Sequence, residues 1–218
     1  MKIKKSIFLI CTIVVLIGVI VLSGDISVLS SIFQMNSLES LTNIPNRKLL
    51  SSGKNFKTFD ISKGDNTEYL YEIYNNSGEV IKSETVVRRF PALNYQSDSL
   101  LSIEIGVGTG VWLTQYYDTV KDHFSEVFES PIVVRNNKVA YMIISNNIYK
   151  IIIRDVFDEN KYYKEFSLDD FAKVANPVDA LIDIQYLDDD RLQVAYLSSE
   201  NYIEKYSVIQ LRTNGDEN

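Results

Sequence analysis

Short runs of apolar and aromatic residues follow one another from position 55 onward, and no helical period continues through them. Stretches rich in Asn, Asp, Ser and Gly, which solvate their own backbones in turns, separate the runs. Strands joined by such short turns are antiparallel. The pattern therefore predicts strands at 56–61, 69–74, 80–87, 100–105, 111–117, 124–128, 132–135, 139–144, 148–156, 162–166, 181–187, 192–197 and 202–211.

The stretch 131–170 reads as four of these strands, and its neighbours repeat its layout about every forty residues. Pro91, Pro131 and Pro177 each precede a predicted strand, a polar turn and then a strongly apolar strand. A hairpin with a long aromatic-rich strand and a charged second strand also recurs. The chain is therefore predicted to repeat a four-stranded antiparallel unit.

The apolar strands of this repeat carry apolar side chains on both faces. In 139–144, Val139, Tyr141 and Ile143 point to one side, whereas Ala140, Met142 and Ile144 point to the other. A sheet with one face in water would alternate apolar and polar residues instead. The strands therefore need cover on both sides, which stacking of the sheets face to face provides.

With four antiparallel strands in about forty residues, the repeat resembles the blades of β-propellers. The resemblance covers about 56–211, or three and a half to four units, and implies an all-β, propeller-like fold, open or closed. No WD dipeptide or kelch glycine pair accompanies it. A β-sandwich or a barrel built from the same hairpins is the alternative.

The first 23 residues have the pattern of a signal peptide or signal anchor. Lys2, Lys4 and Lys5 precede an apolar run at 7–22, which predicts an apolar helix. In 24–54, Ile26, Leu29 and Phe33 could share one helical face. The predicted organisation is a signal segment at 1–23, a linker with a part-helical pattern at 24–54, an all-β extracytoplasmic domain at 55–212 and a flexible tail at 213–218.

The charge of the protein makes one class of partner improbable, and its cysteine content excludes disulfides from the body. Without the three N-terminal lysines, 19 basic residues face 29 acidic ones, a net charge of -10. An acidic body is a poor ligand for a phosphate backbone, so nucleic acid is not expected as a partner. The one cysteine, Cys11, lies within the apolar N-terminal run, so the body can form no disulfide, as in many exported Gram-positive bacterial proteins.

Several motifs could belong to a phosphate-binding, metal-binding or catalytic site, but each also has a purely structural interpretation. The glycines of 106–110 precede a predicted strand rather than a helix, so they predict a hairpin and not a phosphate loop. The acidic triplet 188–190 lacks the alternating spacing of a calcium loop, and the only histidine, His123, lies in a polar turn without metal-ligand partners. Glu104 interrupts an apolar run and could serve as an acid or base.

The aromatic residues of the body fit either a core or a binding surface; they include Trp112, Tyr116, Tyr117, Tyr162, Tyr163 and Tyr202. Arg88 and Arg89 fit a solvated edge of the sheet. We expect an extracytoplasmic, secreted or membrane-anchored, non-enzymatic binding module of a bacterial cell surface. A protein, a peptide or a cell-wall glycan could be its partner, and the membrane only through 1–23. No catalytic or metal-binding residue and no cofactor is assigned. The alternatives are a carboxylate-based hydrolase that uses Glu104 and an accessory subunit of a membrane complex.

Overall fold

A computed structural model of the protein describes residues 47–108, 110–145, 148–174 and 177–212. These ranges contain fifteen strands and a short 3-10 helix, Pro177–Ala180. The strands are β1 (Lys48–Ser52), β2 (Phe56–Asp60), β3 (Glu68–Tyr74), β4 (Val80–Val87), β5 (Ala92–Tyr95), β6 (Leu100–Gly108), β7 (Val111–Asp118), β8 (His123–Glu129), β9 (Val133–Arg135), β10 (Lys138–Ser145), β11 (Ile148–Asp155), β12 (Tyr163–Leu168), β13 (Leu181–Tyr186), β14 (Arg191–Leu197) and β15 (Glu204–Gln210).

The strands form four antiparallel meanders in chain order. Sheet 1 contains β1 to β4, sheet 2 contains β5 to β8, sheet 3 contains β9 to β12, and sheet 4 contains β13 to β15. Each strand pairs with the next one along the chain within its sheet. The all-β prediction and the repeated meander are therefore confirmed, with four strands in three sheets and three in the last.

Apolar clusters join each sheet to the next. Leu93, Leu101 and Ile103 of sheet 2 pack with Tyr71 and Ile73 of sheet 1. In sheet 3, Val139 belongs to the cluster shared with sheet 2, while its neighbour Ala140 belongs to the cluster shared with sheet 4. The strand predicted to be apolar on both faces, 139–144, is thus covered on both sides, because sheet 3 lies between sheets 2 and 4.

The first strand, β1, lies within the range predicted as a linker. Four of its five residues are exposed, so the chain shows no apolar alternation there. An isolated antiparallel β-bridge joins Phe171, after β12, to Ser198, after β14. The predicted signal segment at 1–23 and the tail at 213–218 lie outside the described residues.

All four sheets share two ends, because their strands alternate in direction and the sheets stack in the same sense. The upper end is where the first strand of each sheet begins, and the lower end is where that strand finishes. At the upper end, Arg89 Nη1 donates to the Gly108 carbonyl of the next sheet at 3.1 Å. At the lower end, Asn76 Nδ2 donates to the Thr119 carbonyl at 2.6 Å, and Asn136 Nδ2 donates to Asp189 Oδ1 at 2.8 Å.

Candidate interaction surface

Large apolar side chains are exposed mainly at the upper end. They come from the loops and strand ends of all four sheets: Val87, Phe90, Val107, Trp112, Ile132, Ile144, Ile148, Ile182, Tyr202 and Ile203. The lower end exposes Tyr95, Val120, Tyr163 and Leu187, and the hydroxyl of Tyr95 is occupied by the Asn55 amide, which donates to it at 3.0 Å. Single exposed apolar residues are ordinary, but a concentration of them at one end indicates an interaction site.

One part of the upper end joins sheets 1 and 2, and we call it the Trp112 patch: Val87, Arg89, Phe90, Val107 and Trp112. The Trp112 ring and the Arg89 side chain both lie over Gly106. A methyl group added to Gly106 would lie 3.3 Å from Trp112 Cζ3 and 3.0 Å from Arg89 Nη1. Gly106 therefore leaves the space that these two side chains occupy.

The local structure of the patch follows from two connections. The β6–β7 hairpin turns tightly through Gly110, which has a φ of 73°, and its register shifts between Gly106 and Gly108. On the other strand of the hairpin, the Trp112 carbonyl accepts the Ser130 amide at 2.7 Å. The indole is thus held by its backbone while half of its surface, 50%, remains exposed.

Phe90 enters the patch from the short connection between β4 and β5. Its ring lies edge to face with Tyr69, with 5.4 Å between the centroids, and 44% of the residue is exposed. Such a geometry fixes the ring without covering it. Rigid aromatic anchors beside an arginine are the residue types that dominate binding energy in protein interfaces.

Backbone strain also concentrates at the upper end. Arg88, Ser130 and Tyr202 have φ values of 67°, 45° and 53°, although none is Gly, Asn or Asp. The left-handed region costs a residue with a β-carbon roughly 1–2 kcal/mol. Strain of this kind persists at sites where the surrounding structure requires it, and such sites are often functional.

The lower end is built differently, with side-chain oxygens that satisfy the backbone amides of its turns. Asn75 Oδ1 accepts the amides of Ser77 and Glu79, and Asp118 Oδ1 accepts those of Val120 and Lys121 at 2.9 and 3.0 Å. The turns after β11 and β13 repeat the arrangement through Asp155 and Asp188. These carboxylates are structural parts of the turns.

An open depression of about 470 Å³ lies at the lower end between the turns of sheets 2 and 3. It is lined by Asp118, Lys121, Asp122, His123, Phe157, Asp158 and Lys161. His123 begins β8, and its ring lies 5.7 Å from the Phe157 ring. Asp122 accepts the Tyr117 hydroxyl at 2.8 Å, so two of the carboxylates here, Asp118 and Asp122, are occupied by protein donors.

Asp118 shows the electrostatic character of this end. Burial raises its pKa, but the amides of Lys121 and Val120 and the Lys121 ammonium at 3.3 Å outweigh burial, so the pKa lies below its usual range. The carboxylate is therefore held in its charged form by the turn that it organises.

A polar network crosses the interface between sheets 1 and 2. The Lys82 ammonium lies 3.1 Å from Glu84 and donates to Gln115 Oε1 at 2.8 Å, while the buried Tyr71 hydroxyl donates to Glu84. Burial lowers the pKa of Lys82, which the neighbouring Glu84 opposes, and burial raises that of Tyr71. Each group has a partner, so the network joins the two sheets.

The other candidate residues are dispersed over the fold. Glu104 lies in β6, half-buried, and accepts the Ser102 hydroxyl at 3.0 Å, with Tyr116 nearby. The glycines of 106–110 belong to the β6–β7 hairpin as predicted, and the acidic triplet forms the β13–β14 turn. Tyr116 and Tyr117 are core residues, whereas Trp112, Tyr163 and Tyr202 are exposed.

The sequence did not single out the Trp112 patch as a unit. Arg88 and Arg89 are exposed as predicted, but Arg89 contributes to a surface that also needs Phe90 from its own connection and Trp112 from the next sheet. One signal in the sequence could have indicated the patch. Phe90 precedes Pro91, and Val107 lies between Gly106 and Gly108, so large apolar residues stand in turns where polar residues are usual.

Within the ranges that the structure describes, no three His, Cys, Asp or Glu side chains are grouped so that they could hold a metal ion. No helix among the described residues is long and apolar enough to cross a membrane. No protein-family model matches the chain, and no curated protein matches its sequence significantly.

Proposed function

We propose that the protein is an extracytoplasmic, non-enzymatic binding module of a bacterial cell surface that binds a partner protein through its upper end. One observation carries the proposal: exposed apolar side chains and backbone strain occur together at that end. The stack of sheets supplies a rigid support on which loops from neighbouring sheets form one surface.

The composition of the Trp112 patch favours a protein over a glycan as the partner. Two of its members, Val87 and Val107, are exposed aliphatic residues of the same connections that carry the exposed Phe90 and Trp112. Burial of such side chains gives a nondirectional gain of about 25 cal/mol per Å². Sugar recognition needs a set of convergent polar groups around the aromatic platform, whereas Arg89 is the one charged member of this patch.

Export is proposed from the pattern of residues 1–23. The basic start stays on the cytoplasmic side, and the chain that follows the apolar run crosses. Mass spectrometry of the protein purified from its host should find an N-terminus at or near Gly24 if the segment is a cleaved signal peptide. An intact N-terminus in the membrane fraction would identify an anchor, and an intact protein in the cytosol would contradict export.

Site-specific photo-cross-linking in living cells tests the binding surface. A photoreactive phenylalanine analogue would replace Phe90 or Trp112 in the upper end. The matched control would place the same analogue at Val120, which is 74% exposed at the lower end. We expect a discrete covalent adduct from positions 90 and 112, and none of the same mass from 120.

The adduct should disappear when Arg89→Ala is combined with the analogue at position 90, because the arginine flanks the bound partner. Adducts of equal yield from both ends would contradict the proposal, and so would an adduct from position 120 alone. Identification of a lipid or glycan rather than a protein in the adduct would refute the proposed class of partner.

A further inference from the structure

Two consecutive arginines at the upper end, Arg88 and Arg89, differ from the other arginines of the chain. The sequence contains seven arginines, and all of them lie within the described residues. The other five each form a salt bridge with an aspartate or a glutamate: Arg47, Arg135, Arg154, Arg191 and Arg212. Within the part of the chain that the structure describes, no carboxylate forms a salt bridge with Arg88 or Arg89, and both residues are exposed.

The charge of this surface is opposite to that of the chain. The connections that form the Trp112 patch, 87–91 and 106–112, contain these two arginines and no acidic residue, whereas the whole chain has a formal net charge of -7. Arginine is more weakly hydrated than lysine, and its planar guanidinium binds a carboxylate through two parallel hydrogen bonds. An exposed arginine pair in an acidic protein therefore makes this surface electrostatically complementary to an anionic group.

Hydrogen bonds fix the positions of both arginines. The Arg88 amide donates to the Thr67 carbonyl at 2.8 Å, which holds the left-handed backbone at Arg88. Arg89 Nη1 donates to the Gly108 carbonyl at 3.1 Å, so the guanidinium lies on the β6–β7 hairpin, over the same glycine as the Trp112 ring. A guanidinium carries several N–H donors, so this contact leaves others for a second acceptor. Such prior positioning reduces the entropy that binding costs.

From these observations we propose that Arg88 and Arg89 bind the carboxylates of an acidic segment of the partner protein. Phe90 and Trp112 receive the apolar side chains of the same segment. The inference rests on the proposed function and specifies the chemistry of the partner at that site.

The apolar side chains beside the arginines favour a protein as the source of the carboxylates. An anionic wall polymer offers no apolar groups for Phe90 and Trp112 to bury. Anionic lipid is disfavoured because the acidic body of the protein is repelled by such a membrane surface. A protein segment in which Asp or Glu alternates with large apolar residues supplies both kinds of contact.

The arginine pair gives the patch a means of selecting its partner. A basic segment would place like charges opposite each other, and a neutral segment would leave the guanidinium groups without a charged acceptor. The apolar contacts at Phe90 and Trp112 are common to acidic, neutral and basic segments. Discrimination between them therefore comes from Arg88 and Arg89.

Photo-cross-linking of the full-length protein in living cells tests the role of the pair. The photoreactive phenylalanine analogue is placed at Val107, and adduct yield is compared between the native background and Arg88→Gln combined with Arg89→Gln. We expect a yield at least about tenfold lower in that variant, since hydrogen bonds between charged groups are strong. The matched control, Lys54→Gln combined with Lys161→Gln, removes two charges from exposed lysines at the lower end and should leave the yield unchanged.

The outcomes separate this inference from the proposed function. Equal yields in the native and arginine variants would overturn the inference and leave binding at the upper end intact. No adduct from any background would refute the proposed function, and the inference with it. An adduct with lipid or wall polymer that depends on the arginines would overturn the assignment of the anion to a protein. An unchanged urea midpoint for the arginine variant would show that it folds normally.

The cross-linked segment of the partner then supplies a defined probe. A synthetic peptide of its sequence is titrated against the full-length protein, with the fluorescence of Trp112, the only tryptophan, as the signal. Replacement of the peptide's Asp and Glu by Asn and Gln should weaken binding about tenfold or more in the native protein. In the variant with Arg88→Gln and Arg89→Gln, the same replacement should have no effect.

A purely structural role of the arginines would not produce this coupling between the two changes. Additive losses, or a cross-linked segment without acidic residues, would overturn the inference. As a second check, Arg88→Glu combined with Arg89→Glu should reject the acidic peptide and bind a version with lysine at its acidic positions. Tighter binding of the acidic peptide by that variant would equally contradict the inference.

Discussion

The two ends of this stack of sheets are made from the same repeat but differ in the residues that occupy their turns. At the lower end, left-handed backbone positions are occupied by Asp122, Asn136 and Asn137, residue types that tolerate this conformation. At the upper end Asn201 also adopts this conformation, but there it is forced as well on Arg88, Ser130 and Tyr202, which tolerate it less. The difference indicates that the sequence of the lower end favours stability, whereas the upper end retains strain and apolar exposure that stability alone would remove.

The largest effect is expected when a lower-end turn loses its carboxylate. Asp118→Ala removes the buried carboxylate that accepts the amides of Val120 and Lys121. Hydrogen bonds to a charged group contribute about 1.5–3 kcal/mol, and since these donors lie in an exposed turn the free energy of unfolding in urea should fall by about 1–3 kcal/mol. Trp112→Ala, at the half-exposed upper end, should lower it by less than about 1 kcal/mol. Equal losses would remove the distinction between the ends.

The fall in the free energy of unfolding at low pH should depend on the same carboxylate, that of Asp118. Because the folded pKa of Asp118 lies below its unfolded value of about 3.8, the folded state gains stability above that value. The gain is lost as the pH falls through the folded pKa. Urea titrations between pH 6 and pH 2 should therefore show a flatter acid decline for Asp118→Asn than for the native protein, and parallel curves would exclude Asp118 as a contributor.

Glycine substitutions at left-handed backbone positions should stabilise the protein at the upper end but not at the lower end. Arg88→Gly and Tyr202→Gly should each raise the free energy of unfolding by about 0.5–1 kcal/mol, since relief of roughly 1–2 kcal/mol exceeds the added flexibility of the unfolded chain. Asn137→Gly at the lower end, where Asn already accepts its φ of 57°, should change stability by less than about 0.5 kcal/mol. Destabilisation by both upper-end variants would contradict the assignment of strain.

The smallest effect concerns the space beneath the Trp112 ring. Gly106→Ala places a methyl group 3.3 Å from Trp112 Cζ3, so the ring must shift. Trp112 is the only tryptophan, and its fluorescence maximum should move without a change in the unfolding midpoint of more than a few degrees. Gly108→Ala, which meets nothing within 4 Å, is the matched control and should leave the spectrum unchanged.

The sequence predicted most strands because their residues alternate around turns that only a few residue types tolerate. All thirteen predicted runs overlap strands, and the proline-marked repeat indicated β5 as well. β1 was missed because its residues are exposed and carry no alternation. Apolar residues on both faces of 139–144 correctly predicted stacked sheets, since that pattern has few other physical solutions.

The candidate site was much harder to predict from the sequence than the strands were. The Trp112 patch depends on which loops of sheets 1 and 2 meet, and Arg89 and Trp112 are far apart in the chain. Glu104 attracted attention as a charge within an apolar run, yet its hydrogen-bond partner is the neighbouring Ser102. Contacts between sheets, rather than local patterns, determine which side chains act together.

The central claim is that stability resides at the lower end and binding at the upper end. The most direct test places a photoreactive phenylalanine analogue at Val107 and measures both adduct yield in cells and unfolding free energy in two backgrounds. We predict that Trp112→Ala abolishes the adduct with little loss of stability, whereas Asp118→Ala loses about 1–3 kcal/mol of stability and keeps the adduct. The reverse result, or loss of both properties together in each background, would contradict the claim.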